Sequence, residues 1–364
     1  MSDSESSVDA EDIYEESNKE SILRTFQQLP WIEKYRPVRI ESILLEDNIR
    51  NEIERIIKKN EVMNIIITGR PGIGKTTTFK CLARKLYGDY YDQYVLELNA
   101  SDDRGIKIEN DIELFCKSLM NVPDEEKDNF PQHKFIILDE ADNITEKAQH
   151  IISKLMGSCK DRAKFAFTCN TSHNIIESIQ SKCDLILRYK RVKEDKISLR
   201  IMDICDLENV VYDDEAVDYI ADLCEGDMRS ALNILELTYR KHKYISMDNI
   251  ADVYDRPHKL LLKTMIDACI KKDYKEALIQ MELLKKKGYT GTDITSGLFS
   301  TLKSKYCDDI PIKIKLELCK IIQEAAYQIS KGLDTKTHVM ACALEMCNLP
   351  DKMVKKYNEQ LTAK

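Results

Sequence analysis

The residues Gly69-Arg70-Pro71-Gly72-Ile73-Gly74-Lys75-Thr76-Thr77 have the types and spacing to hold a phosphate chain. They fit G-x-x-x-x-G-K-[ST], and each fixed position has a physical task. Gly69, Gly72 and Gly74 allow backbone conformations that a Cβ forbids, so that successive N–H groups converge on phosphate oxygens at the positive end of the following helix. Lys75 is placed to neutralise the β and γ phosphates, and Thr76 to offer its hydroxyl to Mg²⁺. A second group follows at Asp139-Glu140, where an apolar run ends in carboxylates. Asp139 would hold Mg²⁺ through its water shell, and Glu140 would take the proton of an attacking water. Asn170, at the end of another apolar run, is suited to orient that water.

These groups need strands to aim them. Asn64 to Thr68 is an apolar run short enough for a buried strand, and Thr77 to Leu86 continues from the loop with helical spacing. Further strands are expected at Tyr94–Leu98, Lys134–Leu138, Ala163–Asn170 and Leu185–Tyr189. Ligands of open α/β sheets bind at the carboxyl ends of the strands, which is where Asp139 and Asn170 fall. A helix is expected over Asn48–Ile57. Pro30-Trp31-Ile32-Glu33-Lys34-Tyr35-Arg36-Pro37 holds the only Trp between two prolines and reads as a rigid extended segment packing its aromatics on something. After residue 189 the character becomes helical, with amphipathic spacing over Lys196–Glu208, Asp214–Cys224 and Met228–Tyr239. From Pro257 to about Leu349 the chain is helical again, and Lys285-Lys286-Lys287-Gly288 forms a basic helix end with a glycine stop. The pattern predicts an α/β nucleotide domain with a parallel sheet, a small helical lid and a separate all-α domain.

Composition narrows the function classes. At 364 residues the chain is longer than one core usually grows. No apolar run approaches the ~20 residues that span a bilayer, so an intracellular, soluble protein with no membrane partner is expected. The twelve cysteines are scattered with no C-x-x-C pair, and most have apolar neighbours, which reads as reduced core thiols. Of the net charge of −8, residues 1–20 contribute −7, so the remaining chain is close to neutral and can still carry a basic face for nucleic acid. Residues 1–28 are too poor in hydrophobes to bury surface and read as a disordered acidic tail.

Taken together, these residues resemble the small subunits of replication factor C, the sliding-clamp loader of the AAA+ superfamily. The resemblance is carried by residues 30–37, the phosphate loop, Leu96 to Ile106, Leu138-Asp139-Glu140-Ala141-Asp142, Asn170, Gly226-Asp227-Met228-Arg229 and Lys286-Lys287-Gly288-Tyr289. It implies an AAA+ ATPase domain over 29–189, a lid over 190–255, a collar for oligomerisation over 256–350 and a tail over 351–364. It implies that Ile32, Arg36 and Leu44 surround the adenine and ribose of ATP, that Asn170 is a first sensor, and that Arg229 on the lid is a second sensor of the γ phosphate. Arg104 stands where the family has a switch residue that holds the catalytic glutamate, here Glu140, away from water until DNA binds. The implied partners are other clamp-loader subunits in a hetero-pentamer, a PCNA-like sliding clamp and primer-template DNA. The implied location is the nucleus, or a viral factory if a virus encodes the chain.

Four positions at three places depart from the family's pattern, each by losing an arginine. Lys182 replaces an Arg that reaches into the neighbouring subunit's ATP, keeping the charge but losing the planar fork. Paired arginines of the family fall on Ser153 and Lys154, and another falls on Asn110, in regions that line its DNA channel. The leading expectation is an ATP-hydrolysing clamp-loader subunit, slow in isolation. The alternatives are a structural ATP-binding subunit, against which the intact Glu140 and Asn170 speak, and another DNA-linked AAA+ ATPase.

Overall fold

A computed structural model describes residues 29–99, 105–120, 130–254, 256–332 and 336–350. The chain forms two compact units that divide between Met247 and Asp248.

The first unit is built on five parallel strands: β1 (Ile65–Thr68), β2 (Val95–Asn99), β3 (Lys134–Asp139), β4 (Ala163–Cys169) and β5 (Leu185–Arg188). Their order across the sheet is β2-β3-β4-β1-β5. The central strands are buried on both faces, which is why Ile65-Ile66-Ile67 and Phe135-Ile136-Ile137-Leu138 are continuous apolar runs rather than alternating ones. Helices α1 (Asp47–Lys59) and α2 (Lys75–Tyr87) contribute to one apolar layer, through Ile53, Ile56, Phe79 and Leu82. Helices α3 (Gly105–Lys117) and α4 (Glu146–Ser158) contribute to the other, through Ile112, Cys116, Ile152 and Leu155. The topology decides where chemistry can occur: β4 lies between β1 and β3, so the loop after β1, the carboxylates ending β3 and Asn170 after β4 share one edge.

Three helices follow: α5 (Glu194–Glu208), α6 (Asp214–Cys224) and α7 (Met228–His242). Asp227 caps α7, its carboxylate accepting from the N–H groups of Arg229 and Ser230. Two short strands, β6 (Val211–Tyr212) and β7 (Tyr244–Ile245), pair in parallel within this helical part, where the sequence had suggested helices alone. Two residues on each strand are too few to leave a periodic signal.

One expectation needs correction. Residues 30–37 are not extended, because Trp31–Lys34 forms a single helical turn. The N–H groups of Glu33 and Lys34 both donate to the Pro30 carbonyl at 2.9 Å, and Pro30 lacks only a donor that a helix start does not use.

The second unit is all helical over its long elements: α8 (Lys259–Ile270), α9 (Tyr274–Lys286), α10 (Gly291–Lys303), α11 (Ile312–Ser330) and α12 (Lys336–Cys347). Leu262, Ile266, Met281, Leu298, Leu318 and Met346 form its core. The expected glycine stop is present, with Gly288 at φ +93° just after α9. All twelve cysteines are free thiols and ten are buried; burial pushes Cys81 up to about 11 and Cys205 up to about 12. Among the described residues no helix is long and apolar enough to cross a membrane.

Candidate functional site

The phosphate loop has the backbone that its glycines permit. Gly72 and Gly74 sit at φ +71° and +92°. At Gly72 a Cβ would lie 1.6 Å from the Asp227 carboxylate, so the start of helix α7 approaches the loop at a point only glycine allows. The Met228 N–H donates to the Gly72 carbonyl at 3.2 Å across the same junction. Gly74 is the N-cap of α2 and no side chain caps that helix, which leaves its first N–H groups available to an anion.

Lys75 folds back over the loop and donates to the carbonyls of Gly69 (2.6 Å) and Arg70 (2.9 Å) and to Asn170 Oδ1 (2.9 Å). Its pKa lies below the usual lysine value because burial disfavours the charge; Asp142 and Asp139 oppose that effect and Arg229 adds to it. Thr76 Oγ1 donates to the Asp139 carboxylate, at 2.8 and 2.9 Å from its two oxygens. The second partner of Asp139 is the buried Thr168 hydroxyl. That hydroxyl also accepts from the Glu140 N–H at 3.0 Å, and Glu140 holds a left-handed φ of +52°. Asn143 Nδ2 donates to Glu140 Oε2 at 3.0 Å. The Asn170 N–H donates to Asp142 Oδ2 at 3.0 Å, while Asp142 Oδ1 is buried with no hydrogen-bond partner among the described residues.

One cavity joins these groups. At its phosphate end lie residues 71–77, Asp139, Glu140, Asp142, Thr168, Asn170 and Arg229. It is also lined by Ile32, Ile43, Leu44, Val192, Met228 and Leu232, apolar side chains suited to a base, together with the polar Glu33, Tyr35, Arg36 and Arg200. Ile32, Arg36, Leu44, Pro71, Gly72, Ile73, Gly74, Lys75, Thr76, Thr77, Asp139, Glu140, Asn170 and Arg229 are therefore brought together. Gly69 and Arg70 contribute carbonyls, and the exposed Arg70 guanidinium points to Glu225 at 3.9 Å.

Two candidates are elsewhere. Arg104 lies outside the described residues. Lys182 is not in the cavity; its ammonium donates to the carbonyl and, at 3.0 Å, to the hydroxyl of Ser153 on α4. Ser153 is 5% exposed and so faces the interior, whereas Lys154 and Asn110 are exposed. Asp142 and Met228 stood in the sequence only as members of quoted motifs with no role given, and Thr168, Asn143, Val192, Leu232 and Arg200 of the cavity neighbourhood were not singled out. Of these, only Thr168 left a trace, as a lone hydroxyl within the apolar run of β4.

The donor set fits Mg²⁺ with a nucleoside triphosphate. Thr76 and Asp139 offer two oxygens, and the orphaned Asp142 Oδ1 would accept from a water of the ion's shell. Among the described residues no cluster of three or more His, Cys, Asp or Glu could hold a metal. A hard ion that keeps waters and phosphate oxygens as most of its ligands needs no such cluster.

Comparison with known proteins agrees with this geometry. Residues 65–191 match the family model described as ATPase family associated with various cellular activities, and residues 257–345 match the replication factor C C-terminal domain. The chain is 39% identical over 326 residues to the probable replication factor C subunit 2 of Dictyostelium discoideum, covering 89% of this chain and 94% of that one. It is 36% identical to replication factor C subunit 4 of Saccharomyces cerevisiae, over 89% of this chain and 98% of the relative. It is 31% identical to the replication factor C small subunit of Staphylothermus marinus, over 90% and 97%. The RuvB Holliday junction branch migration motor of Thermotoga maritima superposes with a TM-score of 0.49 and 16% identity over 64% of this chain and 79% of that one, too slight a likeness to bear on function.

Proposed function

The chain belongs to the replication factor C small-subunit family, and from that membership and its cavity we propose that it binds ATP with Mg²⁺ and loads a PCNA-like sliding clamp onto primer-template DNA. It is an ATPase subunit of a clamp loader. The observation that carries the nucleotide reading is the convergence of Lys75, Thr76, Asp139, Glu140 and Asn170 with the lid's Arg229 around one cavity.

Each residue has a role that its contacts support. Lys75, now satisfied by two carbonyls and Asn170, would exchange them for β and γ phosphate oxygens. Mg²⁺ bound at Thr76 and Asp139 would offset charge on the phosphates. Thr168 holds Asp139 on one side and the Glu140 backbone on the other, which fixes the carboxylate pair in one orientation. Glu140 would take the proton of the attacking water, and Asn170 would orient that water. Arg229 stands on the first turn of α7, beside the loop that α7 touches at Gly72, where it would meet the γ phosphate.

The family relationship makes hetero-oligomeric assembly the working state, and we take the second unit as the collar of a pentamer. Ile312 and Leu316, one turn apart on α11 and 73% and 57% exposed, support that role as apolar positions suited to a partner. Work on chromosomal DNA would place the protein in the nucleus. The decisive experiment compares ATP turnover of the isolated chain with turnover in the presence of partner subunits, clamp and primed DNA. Slow turnover alone and strong stimulation by the mixture is the expected result, abolished by Glu140→Gln. Absence of stimulation would refute clamp loading.

A further inference from the structure

The base end of the cavity is fastened to the lid through the segment that lines it. The single turn Trp31–Lys34 presents two faces. Ile32 and Arg36, four residues apart, line the cavity. Trp31 and Lys34 turn to the lid helices, and Tyr35 bridges the two faces, lining the cavity while its hydroxyl reaches α5. The Trp31 N–H donates to Glu236 Oε2 of α7 at 2.9 Å, and its ring stacks on Tyr239 with centroids 5.4 Å apart. Lys34 Nζ and the Tyr35 hydroxyl both donate to one oxygen, Oε1 of Glu208 at the end of α5, each at 2.5 Å. Lys34 and Glu208 are only 15% and 18% exposed, so this clasp is little screened by water.

We propose that Glu208 is a positioning residue for nucleotide binding: by gripping Lys34 and Tyr35 it holds Ile32 and Arg36 against the base, so that the lid sets base affinity. The proposal rests on the nucleotide reading of the cavity. Its physical content is a division of labour. The phosphates are held by the loop after β1, which belongs to the sheet, whereas the base wall rides on α5 and α7. The helix that carries Glu236 and Tyr239 also carries Arg229, two turns earlier, so one rigid element meets both ends of the ligand. Releasing the clasp lets the wall leave the slot, and apparent affinity falls by the fraction of time the wall is undocked.

The test uses the full chain and two ligands, ATP and inorganic triphosphate, which shares the phosphates but lacks the base. Affinities are measured by calorimetric titration. Glu208→Ala is expected to weaken ATP about tenfold while leaving inorganic triphosphate within about twofold, since only the base wall is released. Tyr35→Phe, which removes one hydrogen bond and keeps the packing, gives a smaller change in the same direction and serves if Glu208→Ala does not fold. The exchange Lys34→Glu with Glu208→Lys restores ATP affinity relative to either single change. Equal weakening of both ligands would mean a merely structural role for Glu208 and overturns the proposal, as does an unchanged ratio. Failure of the unaltered chain to bind either ligand would overturn the nucleotide reading itself, and this proposal with it.

Discussion

Replacing Asn143 by Ala should raise ATP turnover in the absence of DNA. On the proposed mechanism Glu140 works only when its carboxylate faces the attacking water, and in the structure Oε2 instead accepts from Asn143 Nδ2 at 3.0 Å. Both side chains are exposed, so the bond is worth about 0.5–1 kcal/mol once solvent competition is allowed for. That bias corresponds to about a two- to fivefold change in the population of released carboxylate. The backbone of Glu140 is untouched by the substitution: its left-handed conformation, costing about 1–2 kcal/mol, is held by the Thr168 hydroxyl and by the Asn143 N–H, which donates to the Glu140 carbonyl at 2.9 Å and is kept in the variant. Turnover without DNA should therefore rise about two- to fivefold, while the DNA-stimulated maximum, where the carboxylate is already released, stays as it was. The assay is steady-state phosphate release by the assembled complex with and without primed DNA. A fall in both rates would show that Asn143 supports the productive rotamer, and equal rates for variant and parent would show the contact to be incidental. Either result refutes the restraint.

Lys182→Ala should lower turnover at the adjoining subunit's site at least about tenfold while leaving this chain's own ATP affinity unchanged, if its charge acts across the interface; unchanged turnover would leave it only a tie to Ser153. Lys134→Met should destabilise the first unit by about 2–4 kcal/mol, read from denaturant unfolding, because the buried ammonium donates to the Phe115 and Ser118 carbonyls at 2.7 and 2.6 Å and caps α3. A neutral or stabilising outcome would show that the cost of burying the charge exceeds the bonds it makes. His258 caps α8 through Nδ1, which accepts from the Leu260 N–H at 3.1 Å, and burial, aided by Lys287 and opposed by Asp248, holds its pKa below the usual value. A folded pKa below the unfolded one gives stability that is complete above about pH 6.5 and is lost as pH falls through the folded value. The melting temperature should fall on acidification over that window, and His258→Asn, a cap that does not titrate there, should flatten the dependence.

The nucleotide site was legible because its chemistry demands particular residue types at fixed separations. Gly72 tolerates no Cβ beside Asp227, and Thr76 and Asp139 meet although 63 residues separate them, because β1 and β3 flank β4. The helices were legible from their periodicity, Asp214–Cys224 to the residue. What stayed hidden depends on pairs whose members carry no mark of each other. Lys134 reads as the polar start of an apolar strand, yet it is 1% exposed and finds its acceptors at the end of α3. Residues 30–37 read as extended because two prolines bracket them, but Pro30 keeps its carbonyl and so can start a turn. Nothing in the spacing could show that the aromatics of this segment pack on α7 and reach the end of α5.

The same reasoning changes how the departures from the family pattern are understood. Read along the chain, Ser153 and Lys182 are two separate losses of arginine in a lysine-rich sequence, and drift would explain both. In the structure they are one contact. Ser153 is buried beneath Lys182, and it supplies that ammonium with a carbonyl and a hydroxyl acceptor. An arginine at 153 in the same buried place would set a second cation against the first, an arrangement that costs several kcal/mol. The hydroxyl at 153 and the ammonium at 182 are thus mutually fitted. Restoring an arginine at 153 alone would expel Lys182 from its seat, whereas Lys182→Arg alone keeps both acceptors and regains the planar fork. Of the two positions, 182 is therefore the one that can change independently.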